Sequence, residues 1–241
     1  MSYLANGRRR PGPRPSLTRE DIVRAALDTR PSPGGDTPGR HTPGGDTDLS
    51  TLTMPALAAR LGVSHSTLYR YVASRDDLMI AVVDHAMRCW TWPAAEGPWR
   101  RLLERFSDSL WEFVHHFPGI ARVIWEMVVI PPAMLELARS YIEALHRDGL
   151  SRADCLLAYD FVADITIAQS IAMDGLDVVV DTDSGPRTRR ELHQRALAPL
   201  ADQHPELTSD ETWTGQGWLN QKIAVFLDGL EQRAKKAHHP G

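Results

Sequence analysis

The chain is poor in cysteine, with only Cys89 and Cys155 among its 241 residues. The two lie far apart and form neither a CxxC pair nor a Cys/His cluster, which argues against a disulfide framework and a cysteine zinc site. This usage fits a reducing compartment. We expect both residues to be small, buried and apolar.

Long apolar runs are also missing. No segment approaches the roughly 20 residues that a membrane-spanning helix needs, and the N-terminal MSYLANGRRRPGPRPS lacks the apolar core of a signal peptide. The hydrophobic share of 42% is nevertheless enough for a substantial core. The sequence therefore predicts a soluble globular protein of the cytoplasm, without a membrane partner.

Motifs of catalysis and metal binding are absent as well. The sequence contains no nucleophile elbow, no phosphate loop and no acid pair in a distinctive setting, so we predict no catalytic residue and no enzyme activity. His115 and His116 are adjacent, and neighbours on a helix point about 100° apart, so they do not converge on one ion. Neither a metal nor a cofactor is predicted.

Charge is distributed unevenly along the chain. Residues 1–78 carry 11 Lys and Arg against 8 Asp and Glu, whereas the remainder carries 16 against 23, which gives a net charge of −4. Much of the excess lies in RRRPGPRP, within a basic, disordered arm predicted over residues 1–16. Such an arm is often only a solvated tail, but the basic end is the one to test for polyanions.

The first predicted helix lies in LTREDIVRAALDT, where Thr18 and Asp21 have the spacing of a capping box. It stops at RPSPGG, and the segment PGGDTPGRHTPGGDT follows. We predict a disordered insertion at about residues 30–48, because Gly, Pro and Thr offer nothing that offsets the entropy of ordering. The helical pattern resumes at DLSTLTM, so the insertion interrupts one unit and does not separate two domains.

The segment TMPALAARLGVSHSTLYRYV predicts two short helices joined by a sharp turn. Thr53 can cap the first helix, Gly62 can end it in the left-handed conformation, and Ser64 can cap the second. Leu68 and Val72 return an apolar face to the first helix. The pattern is typical of a helix-turn-helix.

The outer face of the second helix is polar and aromatic. Side chains of this kind can contact base edges and phosphates in a DNA major groove, and they are Ser64, His65, Ser66, Thr67, Tyr69, Arg70 and Tyr71. The alternative is a structural helical hairpin with a polar exterior. In the next helix Arg75 occupies a first turn, where acidic residues are preferred, which favours a nearby phosphate over an ordinary exposed arginine.

The strings LTREDIVRAALD and LSTLTMPALAARLGVSHSTLYRYVASRDDLMIAVVD resemble the DNA-binding region of TetR-family transcriptional regulators. The resemblance implies an all-α homodimer with an N-terminal three-helix DNA-binding domain, followed by a larger helical domain that dimerises and senses a small molecule. It places residues 64–67 and 69–71 on the recognition helix, and Thr53 and Arg75 at phosphate-contacting positions. Pro55 departs from relatives that carry a basic residue there. Where tetracycline-binding relatives have a metal-contacting histidine, this chain has ARVIWEM, so tetracycline is not predicted.

The domain boundaries follow from this comparison. A helix-turn-helix domain is predicted over residues 17–78 and a helical ligand-binding and dimerisation domain over 79–241. In the resemblance, the last helix and the helix beginning near Arg152 pack against their copies as a four-helix bundle. Burial within one subunit is the alternative, but both faces are rather apolar for that.

Aromatic and methionine residues crowd the middle of the chain and could line an apolar effector pocket, although each taken singly is also a normal core residue. The candidate ligand-binding residues, with three polar contacts among them, are Trp92, Arg105, Trp111, His115, Trp125, Met134, Tyr141, Tyr159 and Asp164.

The sequence thus predicts a repressor that binds a palindromic double-stranded DNA operator as a homodimer and is released by a small, largely apolar effector. The alternative is a helical ligand- or protein-binding module whose DNA-binding head is impaired.

Overall fold

The computed structural model describes residues 17–28 and 48–238, and these ranges are almost entirely helical. Eleven α-helices occur in them, namely α1 (Arg19–Leu27), α2 (Met54–Leu61), α3 (His65–Leu68), α4 (Arg75–Cys89), α5 (Trp99–His116), α6 (Ile120–Glu126), α7 (Pro132–Arg147), α8 (Arg152–Leu176), α9 (Arg189–Leu197), α10 (Asp210–Trp213) and α11 (Gly217–His238). The predicted all-α class is confirmed. The predicted arm at 1–16 and the insertion, apart from residue 48, lie outside the described residues.

The N-terminal helices pack around a small apolar core. Helix α1 begins with both halves of the predicted capping box, because the Thr18 side chain accepts from the Asp21 backbone N–H and the Asp21 carboxylate accepts from the Thr18 N–H. Ile22, Val23 and Ala26 are buried, against α2 and α4. We call α1 to α3 and the start of α4 the head.

Helix α4 belongs to both halves of the molecule. Near its start, Asp77 forms an ion pair with Arg19 of α1. Near its end, Arg88 donates to both carboxylate oxygens of Glu136 on α7, at 2.9 and 3.1 Å. The predicted domain boundary at residue 78 therefore falls inside one continuous helix.

The C-terminal helices, which we call the body, surround α8. This helix packs against α5, α6, α7 and α11, and two polar contacts fix α11 along it. The buried Asp154 carboxylate lies 2.7 Å from the Arg233 guanidinium, and Lys222 Nζ donates to Gln169 Oε1 at 2.7 Å. The core around it is aromatic, with Phe106, Phe113 and Tyr141 among the fully buried side chains.

Three stripes of side chains run along α8. One stripe, including Ala158, Val162 and Thr166, is buried in the body. A second stripe, which includes Tyr159, lines a cavity described below. A third faces outward and includes Leu157, which is 46% exposed.

The composition of α8 corrects one expectation from the sequence. By length and composition alone, this helix is apolar enough to cross a membrane, with a mean hydropathy of 1.4 over its 18-residue window. The expectation that no apolar segment approaches the length of a membrane-spanning helix was therefore wrong. Its apolar character matches its packing against α5, α6, α7 and α11, and a single such helix is weak evidence of a membrane span.

A β-hairpin follows α8. Strand β1 (Val179–Thr182) pairs antiparallel with β2 (Gly185–Thr188), and Gly185 takes the positive φ of 98° that the tight turn requires. Two 3-10 turns and α10 then lead to α11.

The two cysteines differ in environment. Cys155 is buried as expected, but Cys89 is exposed at the end of α4, which corrects that part of the prediction.

Candidate nucleic-acid interface and ligand cavity

The turn between α2 and α3 has the chemistry that the sequence indicated. The Thr53 side chain caps α2 by accepting from the Ala56 N–H at 3.3 Å. Gly62 lies in the left-handed region, with φ 64° and ψ 32°, and the Val63 N–H donates back to the Ala58 carbonyl at 3.0 Å. A β-branched or bulky residue would be strained at Gly62, so glycine sets the angle at which α3 leaves α2.

The start of α3 is organised by hydroxyl groups. Ser64 Oγ accepts from the Thr67 N–H at 3.2 Å and also lies 2.9 Å from Ser66 Oγ and 2.7 Å from Thr67 Oγ1. Hydroxyls clustered at a helix N-terminus present both donors and acceptors, which suits phosphate oxygens and base edges.

The aromatic and basic side chains of α3 and of the turn that follows it, residues 69–71, divide into outward and inward groups. The rings of His65 and Tyr69 meet edge to face at 4.8 Å, and Tyr69 is 46% exposed. Arg70 is also exposed, and its side chain makes no hydrogen bond or ion pair within the described part of the chain. Leu68 is fully buried, and Tyr71 packs partly against the core. The outward group is therefore free to meet another molecule.

Arg75 has different partners from those that the sequence suggested. Its guanidinium donates to the carbonyls of Leu52 at 2.9 Å, Ser50 at 2.8 Å and Leu49 at 3.2 Å. These bonds turn the charge toward the chain itself, so we no longer assign a phosphate contact to Arg75. A cation in a first helical turn favoured a phosphate partner, but in the structure peptide carbonyls are the partners of this cation.

The N-terminus of α4 is capped by one hydrogen bond of a capping box but not by the other. Ser74 caps the helix by accepting from the Asp77 N–H at 3.0 Å. The Asp77 carboxylate does not return to Ser74, as a full capping box would require. It accepts instead from the Ala73 N–H at 2.8 Å and from Arg19, and the Arg19 guanidinium is the main reason why the pKa of Asp77 is lowered.

Residues 48–52, which we call the strap, join the head to the body. Leu49 is buried and its N–H donates to the Pro118 carbonyl at 2.9 Å, at the corner between α5 and α6. The Asp48 carboxylate occupies the space beside Gly119, where a Cβ atom would lie 1.9 Å from its Oδ1. Since Arg75 holds the other edge of the strap, the α5–α6 corner is linked to the start of α4.

A cavity of about 360 Å³ opens between α5, α7 and α8. Its walls are mainly aromatic and aliphatic, and the lining residues from α4, α6 and neighbouring segments include Met87, Ile124 and Ile130. The size and apolar lining are those of a small-molecule site.

Four of the predicted ligand-binding residues line this cavity, namely Trp92, Met134, Tyr159 and Asp164. The Trp92 indole N–H donates to the Met87 carbonyl at 2.9 Å, which fixes its ring against the wall. Burial raises the pKa of the Tyr159 hydroxyl well above its usual value. The pKa of Asp164 is also raised, first by burial and then by the charge of Asp160.

The other five predicted residues lie elsewhere. The Arg105 guanidinium donates to the Glu96 carbonyl and borders a separate cleft between α5 and α11. Trp111 and His115 contact each other, with ring centroids 4.2 Å apart, on a different side of α5.

Trp125 and Tyr141 complete this group. The Trp125 side chain is 56% exposed on α6, so its ring faces solvent. Tyr141 is buried beside the cavity without lining it, and its hydroxyl donates to the Pro93 carbonyl at 2.7 Å. Burial raises the pKa of that hydroxyl to about 12.

Several lining residues were not among the predicted ligand-binding residues. Phe106, Leu110 and Phe113 belong to the apolar stripe of α5, yet they line the cavity. Helical periodicity identifies such a stripe but does not tell whether it meets a neighbouring helix or an empty space. In residues 17–28 and 48–238, no three His, Cys, Asp or Glu side chains are grouped so that they could hold a metal ion.

Comparisons with known proteins agree with this architecture. Residues 45–82, the helix-turn-helix and the first half of α4, match the family model of bacterial regulatory proteins of the tetR family. The HTH-type transcriptional repressor DrrR1 of Streptomyces coeruleorubidus is 26% identical over 228 residues, which cover 92% of this chain and 71% of that protein.

Solved structures show the same fold. A possible TetR family transcriptional regulator from Streptomyces coelicolor A3(2) superimposes with a TM-score of 0.67 at 25% identity, covering 89% of this chain and 98% of that one. ActR from Streptomyces coelicolor in complex with actinorhodin gives a TM-score of 0.65 at 19% identity, with 93% and 100% coverage. Taken with the helix-turn-helix geometry, these matches show that the chain carries the DNA-binding motif of the tetR family and shares the fold of TetR family transcriptional regulators.

Proposed function

We propose that this protein is a repressor that binds a palindromic operator as a homodimer and leaves it when a small, largely apolar molecule enters the cavity between α5, α7 and α8. The observation that carries the proposal is the combination, in one chain, of an exposed polar recognition face on α3 and an apolar cavity in the body. A protein that acts on a chromosomal operator works in the cytoplasm.

The DNA contact is assigned to the outward side chains of α3. Tyr69 and Arg70 project from its end, while the hydroxyls of Ser64, Ser66 and Thr67 surround its start. Arg70 supplies a cation for a phosphate, and the hydroxyls supply short polar groups for base edges. Thr53, exposed at the start of α2, is placed to contact the backbone of the same DNA.

Homodimerisation is supported by the outward faces of α8 and α11. Leu157 is 46% exposed and Val225 is 74% exposed, although both lie on long helices of an otherwise well-packed body. Between them, the rings of Phe161 and Phe226 stack at 3.9 Å, so the two helices present one continuous apolar face. A second copy related by a two-fold axis would cover this face as a four-helix bundle.

A two-fold symmetric dimer would require an operator with two-fold symmetry, that is, a palindrome. One short recognition helix reads only a few base pairs, and two such helices about 34 Å apart fit successive major grooves. An effector that binds better to a conformer with a different spacing weakens DNA binding without touching the DNA. ActR, which shares the fold, has been crystallised with actinorhodin and with (S)-DNPA.

Fluorescence anisotropy with labelled DNA from the intergenic region upstream of the gene tests the proposal. We expect a sequence-selective complex whose affinity falls steeply with salt. Arg70→Ala should weaken binding about tenfold and lower the slope of log K against log salt by about one per subunit. Arg24→Ala is the matched control, because Arg24 is an exposed arginine of the same head that pairs with Glu20 on α1.

Failure of the wild-type protein to bind that DNA selectively at low salt would contradict the repressor function. If the same preparation still bound small molecules, the alternative of a ligand-binding module with an impaired head would hold instead. Equal losses in the Arg70 and Arg24 variants would contradict the assignment of the contact to α3.

A further inference from the structure

The cavity between α5, α7 and α8 has charge of only one sign. Asp160 and Asp164, one helical turn apart on α8, are its charged lining residues, and among the described residues no Lys, Arg or His lines it. Neither carboxylate forms a hydrogen bond or an ion pair with any other described residue. Glu136 on α7, between the lining residues Leu135 and Leu137, is by contrast paired with Arg88.

A positive charge beside the two carboxylates would reduce the electrostatic repulsion between them. Both residues are exposed to solvent, and partial burial of the Asp164 carboxyl together with the charge of Asp160 raises the pKa of Asp164. A cationic group between them would form charge-assisted hydrogen bonds with both carboxylates and offset their mutual repulsion.

The aromatic part of the cavity wall is suited to a flat ring system. Phe106 and Tyr159 lie nearly parallel, with centroids 5.0 Å apart, and Trp92 contacts Phe113 at 5.2 Å. Ring faces stack on planar apolar ligands and also attract cations. Met134, with its flexible thioether, allows the wall to adapt to different outlines.

We propose that the effector is a planar, apolar organic cation, whose ring system lies against the aromatic wall and whose positive group lies between the carboxylates of Asp160 and Asp164. The inference rests on the proposed ligand-responsive function and names the class of ligand for that site. It assigns Asp160 and Asp164 as the residues that select the charge of the effector.

Two acridines with the same ring system and opposite charge test the proposal. Isothermal titration of the DNA-free protein with 9-aminoacridine, a cation at neutral pH, and with acridine-9-carboxylate, an anion, compares the charges directly. We expect saturable binding of the cation, tighter than that of the anion by about tenfold or more. The absence of saturable cation binding, or equal or tighter binding of the anion, would overturn the proposal.

A charge-matched pair of double variants locates the effect. Asp160→Asn with Asp164→Asn should weaken cation binding about tenfold and remove the preference over the anion. Asp181→Asn with Asp183→Asn removes the same charge from exposed positions of the hairpin and should leave both affinities unchanged. Equal losses in the two double variants would show that only the overall charge matters and would overturn the assignment.

The titration contains no DNA, so its result is independent of operator binding. A chain that distinguishes the two acridines but binds no operator would refute the repressor and retain the class of ligand. A chain that binds its operator but does not distinguish the two acridines would retain the repressor and refute the class of ligand.

Discussion

Gly119→Ala is expected to disrupt the contact between the strap and the α5–α6 corner. The new Cβ atom would lie 1.9 Å from Asp48 Oδ1 and 2.7 Å from the Ser50 backbone nitrogen, and real Cβ atoms essentially never come that close. The side chain of Asp48 can turn away, but the Ser50 nitrogen is backbone, so the strap itself must move.

The size of the effect follows from the contacts that the strap would lose. An alanine in the left-handed region costs about 1–2 kcal/mol. The hydrogen bond from Leu49 to the Pro118 carbonyl contributes about 1 kcal/mol, and partial exposure of the buried Leu49 side chain costs about 1 kcal/mol more. We therefore expect Gly119→Ala to lower the free energy of unfolding by about 3–4 kcal/mol.

Gly149→Ala is the matched control. Gly149 has a similar φ of 101°, but a Cβ atom there meets nothing within 4 Å. Only the backbone cost remains, about 1–2 kcal/mol. Urea unfolding followed by tryptophan fluorescence measures both variants, and the midpoint should fall further for Gly119→Ala.

An equal fall in the two variants would refute the reasoning, because the strap would then contribute nothing beyond backbone strain. Adding Asp48→Ala to Gly119→Ala should restore part of the loss, since it removes the closest contact. Operator binding should weaken in Gly119→Ala at temperatures where the protein is folded, because Arg75 transmits any shift of the strap to α4.

Three further changes test other parts of the molecule. Asp77→Asn should destabilise the head by about 1 kcal/mol at pH 7. Because the pKa of Asp77 is lower in the folded than in the unfolded state, this stability is present above the unfolded-state pKa and is lost as the pH falls through the folded-state pKa. The stabilities of wild type and variant should therefore converge when urea unfolding is measured at acid pH. Val225→Glu should yield a folded monomer in light scattering, since it places a charge in the centre of the apolar face of α8 and α11, and an unchanged dimer would rule out that face. Deletion of residues 32–46 should change operator affinity by less than about tenfold, because closure entropy depends weakly on length, and a larger loss would assign the segment to DNA binding or to bracing the head.

The head could be predicted closely because its signals are local. Thr53, Gly62 and Ser64 each act on backbone groups within four residues, and the caps and the left-handed turn appear where the sequence placed them. Turn and cap chemistry of this kind depends on the identity of one side chain and needs no knowledge of the distant fold.

Long-range partners could not be predicted in the same way. Arg75 binds carbonyls 23 to 26 residues earlier in the chain, and no pattern around Arg75 identifies them. The cavity presents the same difficulty, because Trp111 and Trp125 have the composition of a pocket wall but lie on other faces of their helices. Whether an apolar stripe lines a space depends on the crossing of several helices.

The three stripes of α8 separate the tasks of one helix by angle around its axis. If the proposed function holds, substitutions along the cavity stripe would retune which molecule is sensed, while the outward stripe that includes Leu157 would continue to recognise a second copy of the chain. Because residues of one stripe recur every three or four positions, these properties are interleaved along the sequence yet separate in space. A library randomised at the cavity positions of α8 alone should therefore yield regulators with new effectors that still assemble with the parental chain.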